Sequence, residues 1–223
     1  IANFDDLDPL NAEPDVSVEI IEAGRPIPAG TNIILIPGSK ATCSDLAFLK
    51  AQGWDIDIKA HYRQGGTIIG LCGGYQMLGN FVADPDGIEG HEAKIDGLGL
   101  LDISTTIGVS KSLEKVSGFD ALTQSPTSGF EMHMGKTTGP DTDQPWLILG
   151  NDRPDGARSK DGLILGSYVH GLFAGDAFRA SFLRDFRSGA AQSVAYDLQI
   201  EQTLDLLADH LNKHLTLYPL LGA

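Results

Sequence analysis

Basic residues, cysteines and long apolar runs are all scarce in this chain of 223 residues, and each scarcity excludes something. Sixteen Lys and Arg stand against thirty Asp and Glu, a net charge of −14. Nucleic acid and anionic membrane surfaces both call for basic patches, so neither is expected as a partner. Two cysteines, Cys43 and Cys72, are too few for a disulfide framework and suit a reducing cytoplasm. No apolar run approaches the length of a membrane span, and no charged-then-apolar leader opens the sequence. Internal repeats and low-complexity tracts are also missing. The first residue is Ile1 and not methionine, so a processed product or a piece of something longer is expected.

What is present is a composition 42% hydrophobic and 21% charged, enough for the core of one large α/β domain and too little for two. "VSVEII" (16–21) alternates, and "NIILIPG" (32–38) is a near-continuous apolar run ended by Pro-Gly. Such runs suit strands buried on both faces of a parallel sheet. "TCSDLAFLKAQG" (42–53) has a capping residue, an early acid and a closing glycine, which together predict a helix. "WDIDIKAHYRQGG" predicts a second short helix, "TIIGL" a buried strand and "GYQMLGN" a helix behind it.

From Leu98 the pattern turns strand-rich, with "LGLLDISTTIGVS", "GFEMHMGKTTG", "WLILG" and "GLILGSYVHG" separated by polar, Gly/Pro-rich turns. Helix returns at 175–187. A longer helix follows around "VAYDLQIEQTLDLLADHLNKHL", where Leu204, Leu207, Leu211 and Leu215 recur at helical spacing. "SGAAQ" (188–192) is the one candidate linker. The expected architecture is α/β: a doubly wound, mostly parallel sheet flanked by helices, with an antiparallel extension. Residues 1–188 form the main domain, its first strand missing, and 189–223 a helical segment packed on it.

In such sheets reactive groups gather at the carboxyl ends of strands, and Pro37-Gly38, Cys72 and His170 all sit at such ends. Cys72 lies where "TIIGLCGGYQMLGN" passes from strand to helix. A residue on so tight a turn points out of the sheet, glycines permit the backbone, and the following helix favours the thiolate. A buried packing cysteine fits the same local sequence. His170 ends an apolar strand in "SYVHG"; it is either a structural histidine or the base that cysteine chemistry needs. The turn "IPGSKAT" exposes backbone N–H groups, and Gly38 with Gly73 would supply the two donors of an acyl-transfer site.

Other candidates are weaker. Cys43 falls in the first turn of a helix, where packing is the better reading. His210 and His214 are four apart on a helix, but no third metal ligand is suggested, so no metal site is expected. The pairs Asp5-Asp6 and Asp55/Asp57 read as surface charge. "GGYQMLG" is too short for a phosphate-binding loop.

Taken together, "GLCGGYQMLG", "IPGSKATCSDLAFL", "GFEMHMGKT", "GSYVHGLF" and the opening "IANFDDLDPLNAEPDV" resemble the class I glutamine amidotransferases, in the branch found in corrin-pathway synthetases. The resemblance covers essentially the whole chain and implies a flavodoxin-like fold. It implies a glutaminase that releases ammonia from L-glutamine to a separate ATP-dependent synthetase domain, which amidates a corrinoid. By position it makes Cys72 the nucleophile and His170 the general base, with Gly38 and Gly73 as backbone oxyanion donors. Gln76, Glu131 and His133 fall near the glutamine pocket, with a binding or positioning role. No cofactor is implied for this domain; ATP and Mg²⁺ belong to the synthetase, which these residues do not include. The isolated stretch is expected to lack ligase activity and to show little glutaminase activity.

One departure stands out. Many class I amidotransferases follow the histidine with Pro-Glu, the glutamate orienting the imidazole, whereas Gly171-Leu172 follows here. The third member is therefore Glu131, an acid elsewhere in the fold, one from the partner domain, or absent. Two alternatives to the corrin branch stay open: the glutaminase subunit of a cell-wall (lipid II) amidotransferase, which shares "CGGYQ", and a non-catalytic scaffold module.

Overall fold

The computed structural model describes residues 6–91, 93–187 and 193–215. In chain order the elements are α1 (Asp8–Asn11), β1 (Ile33–Ile36), α2 (Thr42–Ala51), α3 (Trp54–Arg63), β2 (Thr67–Leu71) and α4 (Gly73–Met77). Then come β3 (Phe81–Asp84), β4 (Ala93–Asp96), β5 (Ser104–Asp120), β6 (Pro126–Thr138), β7 (Leu147–Leu149), β8 (Arg153–Asp155) and β9 (Ala157–Arg158). The chain closes with β10 (Ile164–Ser167), β11 (Val169–His170), α5 (Asp176–Leu183) and α6 (Tyr196–His214).

Parallel pairing of β1 with β2 and of β2 with β10 makes the centre of a four-stranded sheet, β1-β2-β10-β9, with β9 antiparallel at the edge. All five residues of β2 are buried, as a central strand covered on both faces requires. Because side chains alternate across a strand, Ile68 joins Ile34, Ile36, Leu46, Leu49 and Ile58 under α2 and α3, while Ile69 and Leu71 face the other way. There they meet Leu10, Trp146, Phe173, Phe178 and Leu183 under α1 and α5. Helices on both faces of a parallel core are the expected architecture. The antiparallel part is larger than an extension: a seven-stranded sheet runs β11-β6-β5-β3-β4, with β7 pairing β5 and β8. Among the described residues, no helix is long and apolar enough to cross a membrane.

Several local expectations change. Residues 16–20 enter no ladder; Val16 and Val18 lean on the core, which accounts for the alternation, but no strand lies beside them. The helix behind β2 is a single short turn, Gly73–Met77. β3 and β4 are additional, four residues each and half-buried or alternating. The C-terminal helix forms and its first turn is tied down, Tyr196 N–H donating to Asp176 Oδ1 at 3.0 Å. Beyond that turn its leucine stripe lies in solvent: Leu204 and Leu207 are each 51% exposed, and the helix holds no buried residue. Half-buried Asp57 is a structural acid, since its Oδ2 accepts the Ile27 N–H at 3.0 Å.

Candidate active site

The turn after β2 is strained. Cys72 adopts φ 52° and ψ −110°, a conformation costly for a residue with a Cβ and tolerated where surrounding structure over-determines it. Three contacts do so. The Cys72 N–H donates to Ser167 O at 2.8 Å, the Cys72 carbonyl takes the Gln76 N–H at 3.1 Å, and Sγ lies 3.2 Å from Met132 O. Glycine at 74 is obligatory, because a Cβ there would be driven into the Ile36 carbonyl of β1. The elbow thus nests against the end of the neighbouring strand.

That strand ends in Pro37-Gly38, as the sequence suggested, and Gly38 faces both Cys72 and His170. A Cβ on Gly38 would sit 2.9 Å from His170 Cε1 and 3.6 Å from Cys72 Cβ. Gly73 packs just as closely on Ser39. Neither the Gly38 nor the Gly73 N–H donates to an acceptor among the described residues.

His170 reaches the same place from β11, whose residues 169 and 170 pair with Glu131 and Phe130 of β6. Its side chain is 2% exposed, with the Phe130 ring stacked on it at 5.3 Å. Nδ1 lies 2.7 Å from Asp6 Oδ2, and the other oxygen of Asp6 accepts the Gly171 N–H at 2.7 Å. Burial works against the imidazolium, but hydrogen bonds to Asp6 and to Cys72 outweigh it and lift the pKa to about 9. The result is a line from Asp6 through His170 to Cys72, in which an acid orients an imidazole beside a thiol.

Asp6 corrects one expectation and is the acid elsewhere in the fold that was left open as the third member. It is 1% exposed, not surface charge; its neighbour Asp5 lies outside the described residues. It also occupies the place considered for Glu131. Glu131 is spent elsewhere: Oε1 lies 3.0 Å from His133 Nε2, and both oxygens accept from Arg153, at 3.2 and 2.5 Å. The His133 bond, against the cost of burial, and the Arg153 guanidinium hold the Glu131 pKa down to about 2. No sequence signal linked Asp6 to His170, since the two stand 164 positions apart.

Gln76 is buried beneath the elbow, with its amide fully engaged. Nε2 donates to Met134 O at 3.1 Å and to Tyr168 Oη at 3.3 Å, and Oε1 accepts from Thr42 Oγ1 at 3.2 Å. The Tyr168 ring stacks on His133 at 3.8 Å, so Gln76, Tyr168, His133 and Glu131 form one continuous layer. Tyr168 was not singled out in the sequence. His133 Nδ1 is buried without a partner among the described residues.

Cys43 has no hydrogen-bond partner within this constellation. It sits in the first turn of α2, with Sγ 3.8 Å from Val82 O, and burial, with Glu89 and Asp84 nearby, pushes its thiol pKa up. His210 and His214 lie 4.5 Å apart on α6, and among the described residues no three His, Cys, Asp or Glu side chains come together as a metal site.

With that geometry in place, comparison with known proteins is informative. Residues 1–178 match the model of the CobB/CobQ-like glutamine amidotransferase domain. A cobyric acid synthase of Cereibacter sphaeroides is 51% identical over 223 residues, covering 100% of this chain and 46% of that protein. One from Methylorubrum populi is 56% identical over 216 residues, covering 96% of this chain and 44% of its own length. The chain therefore spans about half the length of the curated relatives it matches. A solved structure described as PurLQS from Thermotoga maritima superposes with a TM-score of 0.61 over 82% of this chain and 92% of that one, at 15% identity, a likeness of fold.

Proposed function

Since the chain belongs to the CobB/CobQ-like glutamine amidotransferase family, we propose that it is the glutaminase part of a cobyric acid synthase. It hydrolyses L-glutamine to glutamate and ammonia. A synthetase portion, corresponding to the unmatched half of the longer relatives, uses that ammonia with ATP and Mg²⁺ to amidate adenosylcobyrinic acid a,c-diamide. No residue of this chain is assigned to the nucleotide or the metal. The work takes place in the cytoplasm.

The observation that carries this reading is the hydrogen-bonded line Asp6–His170–Cys72 on a strained elbow. Cys72 as thiolate attacks the side-chain amide carbon of glutamine. The oxygen that gains charge is met by the N–H groups of Gly38 and Gly73; removing one such donor typically costs about 10²–10³ in rate. His170, with Nδ1 held by Asp6, presents Nε2 to the reacting atoms and protonates the departing ammonia. A γ-glutamyl thioester remains, and His170 then takes a proton from the water that hydrolyses it. Asp6 fixes the tautomer and the ring plane.

For the remaining pocket residues, support differs. Gln76 is fully bonded inside the protein, which favours a positioning role for it. Glu131 is neutralised by Arg153 and His133 and braces β6 beside β11. His133 retains the unpartnered Nδ1 and is the better candidate for a contact with glutamine.

The test is mass spectrometry of the chain after incubation with 6-diazo-5-oxo-norleucine, a glutamine analogue that traps the nucleophile. A single adduct on Cys72, blocked by excess glutamine, is expected. An adduct that forms only once the synthetase portion is restored would mean that the partner assembles the site; no adduct in either form would leave a scaffold module that does not hydrolyse glutamine.

A further inference from the structure

Asp155 closes β8 and is 5% exposed, yet the chemistry above makes no use of it. Its Oδ2 accepts a hydrogen bond from Ser167 Oγ at 2.6 Å and a longer one from the Tyr168 N–H at 3.4 Å. Ser167 Oγ in turn accepts the Val169 N–H at 3.0 Å. Residues 167–169 are where the chain leaves the four-stranded sheet at β10 and enters the seven-stranded sheet at β11. The Ser167 carbonyl holds the Cys72 N–H, and His170 follows directly after Val169. One carboxylate therefore organises a crossing that grips the backbone of the thiol on one side and carries the imidazole on the other.

We propose that Asp155 is a positioning residue for the Cys72–His170 pair, its ionised carboxylate setting the Ser167–Val169 crossing. The inference rests on the glutaminase reading of the site. Ser167 Oγ has a single proton, and only an acceptor at Asp155 lets it donate there while it receives the Val169 N–H. Protonation of Asp155 leaves a carbonyl oxygen that still accepts but removes the negative charge. The hydrogen bonds from Ser167 Oγ and the Tyr168 N–H would then lose their charge assistance and be about half as strong.

The charged and titratable groups around Asp155 are Glu131 and Arg153, with the Tyr75 phenol nearby. Burial, reinforced by Glu131 and opposed by Ser167, the Tyr168 N–H and Arg153, pushes the Asp155 pKa up to about 6. A carboxyl whose folded pKa lies above its unfolded value favours folding more as pH falls from about 6 toward 4. Ionised Asp155 therefore costs stability at neutral pH. A group retained for packing alone would not need to be an acid here, which is why its effect should be read in rate and not in melting.

The experiment measures the rate of Cys72 labelling by 6-diazo-5-oxo-norleucine from pH 5 to 8 in the wild-type chain, Asp155→Asn and Asp155→Ala. The wild type should lose rate as pH falls through about 6. Asp155→Asn keeps an oxygen for Ser167 and Tyr168 but no charge, so it should label about three- to tenfold more slowly than wild type at pH 7.5 and lack that acid limb. Asp155→Ala should be at least about tenfold slower at every pH, having no acceptor. The same limb in Asp155→Asn, or a wild-type profile flat across pH 6, overturns the inference. If Asp155→Ala does not fold, the Asp155→Asn profile decides alone. A wild type that never labels, alone or with the synthetase portion restored, overturns the glutaminase reading itself; a labelled wild type whose pH profile Asp155→Asn reproduces overturns only the role given to Asp155.

Discussion

Replacing Asp6 with asparagine is the sharpest perturbation available, because it removes a charge and almost no volume. In the wild type the two oxygens of Asp6 accept from His170 Nδ1 and from the Gly171 N–H, both at 2.7 Å and both out of water. The amide of asparagine can keep its oxygen on Gly171, but its NH₂ then faces Nδ1. His170 must answer by accepting at Nδ1 and carrying its proton on Nε2, the nitrogen that has to receive a proton from Cys72. A charge-assisted hydrogen bond contributes about 1.5–3 kcal/mol, roughly 10- to 150-fold in rate. The tautomer error comes on top, and in the Ser-His-Asp template the equivalent change costs about 10⁴. Asp6→Asn should therefore lower kcat/KM for glutamine hydrolysis, or the labelling rate at Cys72, by about 10² to 10⁴. The pH dependence gives a second readout. The His170 pKa of about 9 depends on Asp6 and Cys72, so losing the acid should move the alkaline limb to lower pH. The stability that the raised pKa confers is complete below the ordinary histidine pKa and is lost as pH rises through about 9. Asp6→Asn should melt with little dependence on pH across that window, and at pH 6 about 4–8 °C lower. This corresponds to about 2 kcal/mol in a chain of this size. The loss falls short of the roughly 3–5 kcal/mol for orphaning a buried charge because imidazole can shed its proton. A variant within twofold of wild type, with its alkaline limb unmoved, would refute the assignment of Asp6.

Gly38→Ala places a methyl 2.9 Å from His170 Cε1. The ring must shift by a few tenths of an ångström, so labelling of Cys72 should fall at least about tenfold while the thermal midpoint drops by less than about 8 °C. Cys43→Ala removes a thiol that touches only the Val82 carbonyl among hydrogen-bond partners. Peptide mapping should still find one adduct, on Cys72, formed at the wild-type rate within twofold.

Much of this was legible because local chemistry repeats local geometry. "NIILIPG", "TIIGL" and the Gly-Gly after Cys72 each specify a buried strand and an abrupt end, and the resulting strands are parallel neighbours in register from Ile33/Thr67 to Ile36/Gly70. With the ends aligned, Gly38 and Cys72 had to be adjacent. His170 followed from the same logic, although its strand is only two residues long and belongs to the other sheet. Alternation at 16–20 misled because half-burial without a neighbouring strand gives the same period. The bonding of Gln76, Glu131 and His133 was out of reach: a motif places a residue near a pocket but does not say which of its atoms are already taken. The leucines of α6 obey the helical period, but periodicity alone does not provide a surface to cover them.

Asp6 was out of reach for a different reason, and the residue after Gly171 explains it. Where many class I amidotransferases carry a glutamate two residues past the histidine, this chain has Leu172, fully buried in the 3-10 turn Leu172–Ala174. That turn is where α1 docks, and Leu10 of α1 joins Leu172 in the same apolar cluster. The leucine that removes the expected acid thus helps seat the segment that restores it. The far end of the segment is fixed as firmly. Glu13, with no exposed side-chain surface, pairs with Arg179 and Arg187, each at 2.6 Å, and Arg179 is itself fully buried. A buried pair contributes little net stability when compared with apolar residues, but breaking it leaves an orphaned charge, so it registers a segment strictly. Asp6, Pro9, Leu10 and Glu13 are buried, so the segment is held by an acid at each end and a leucine between. The orienting carboxylate can therefore come from the opposite end of the chain without loss of precision at His170.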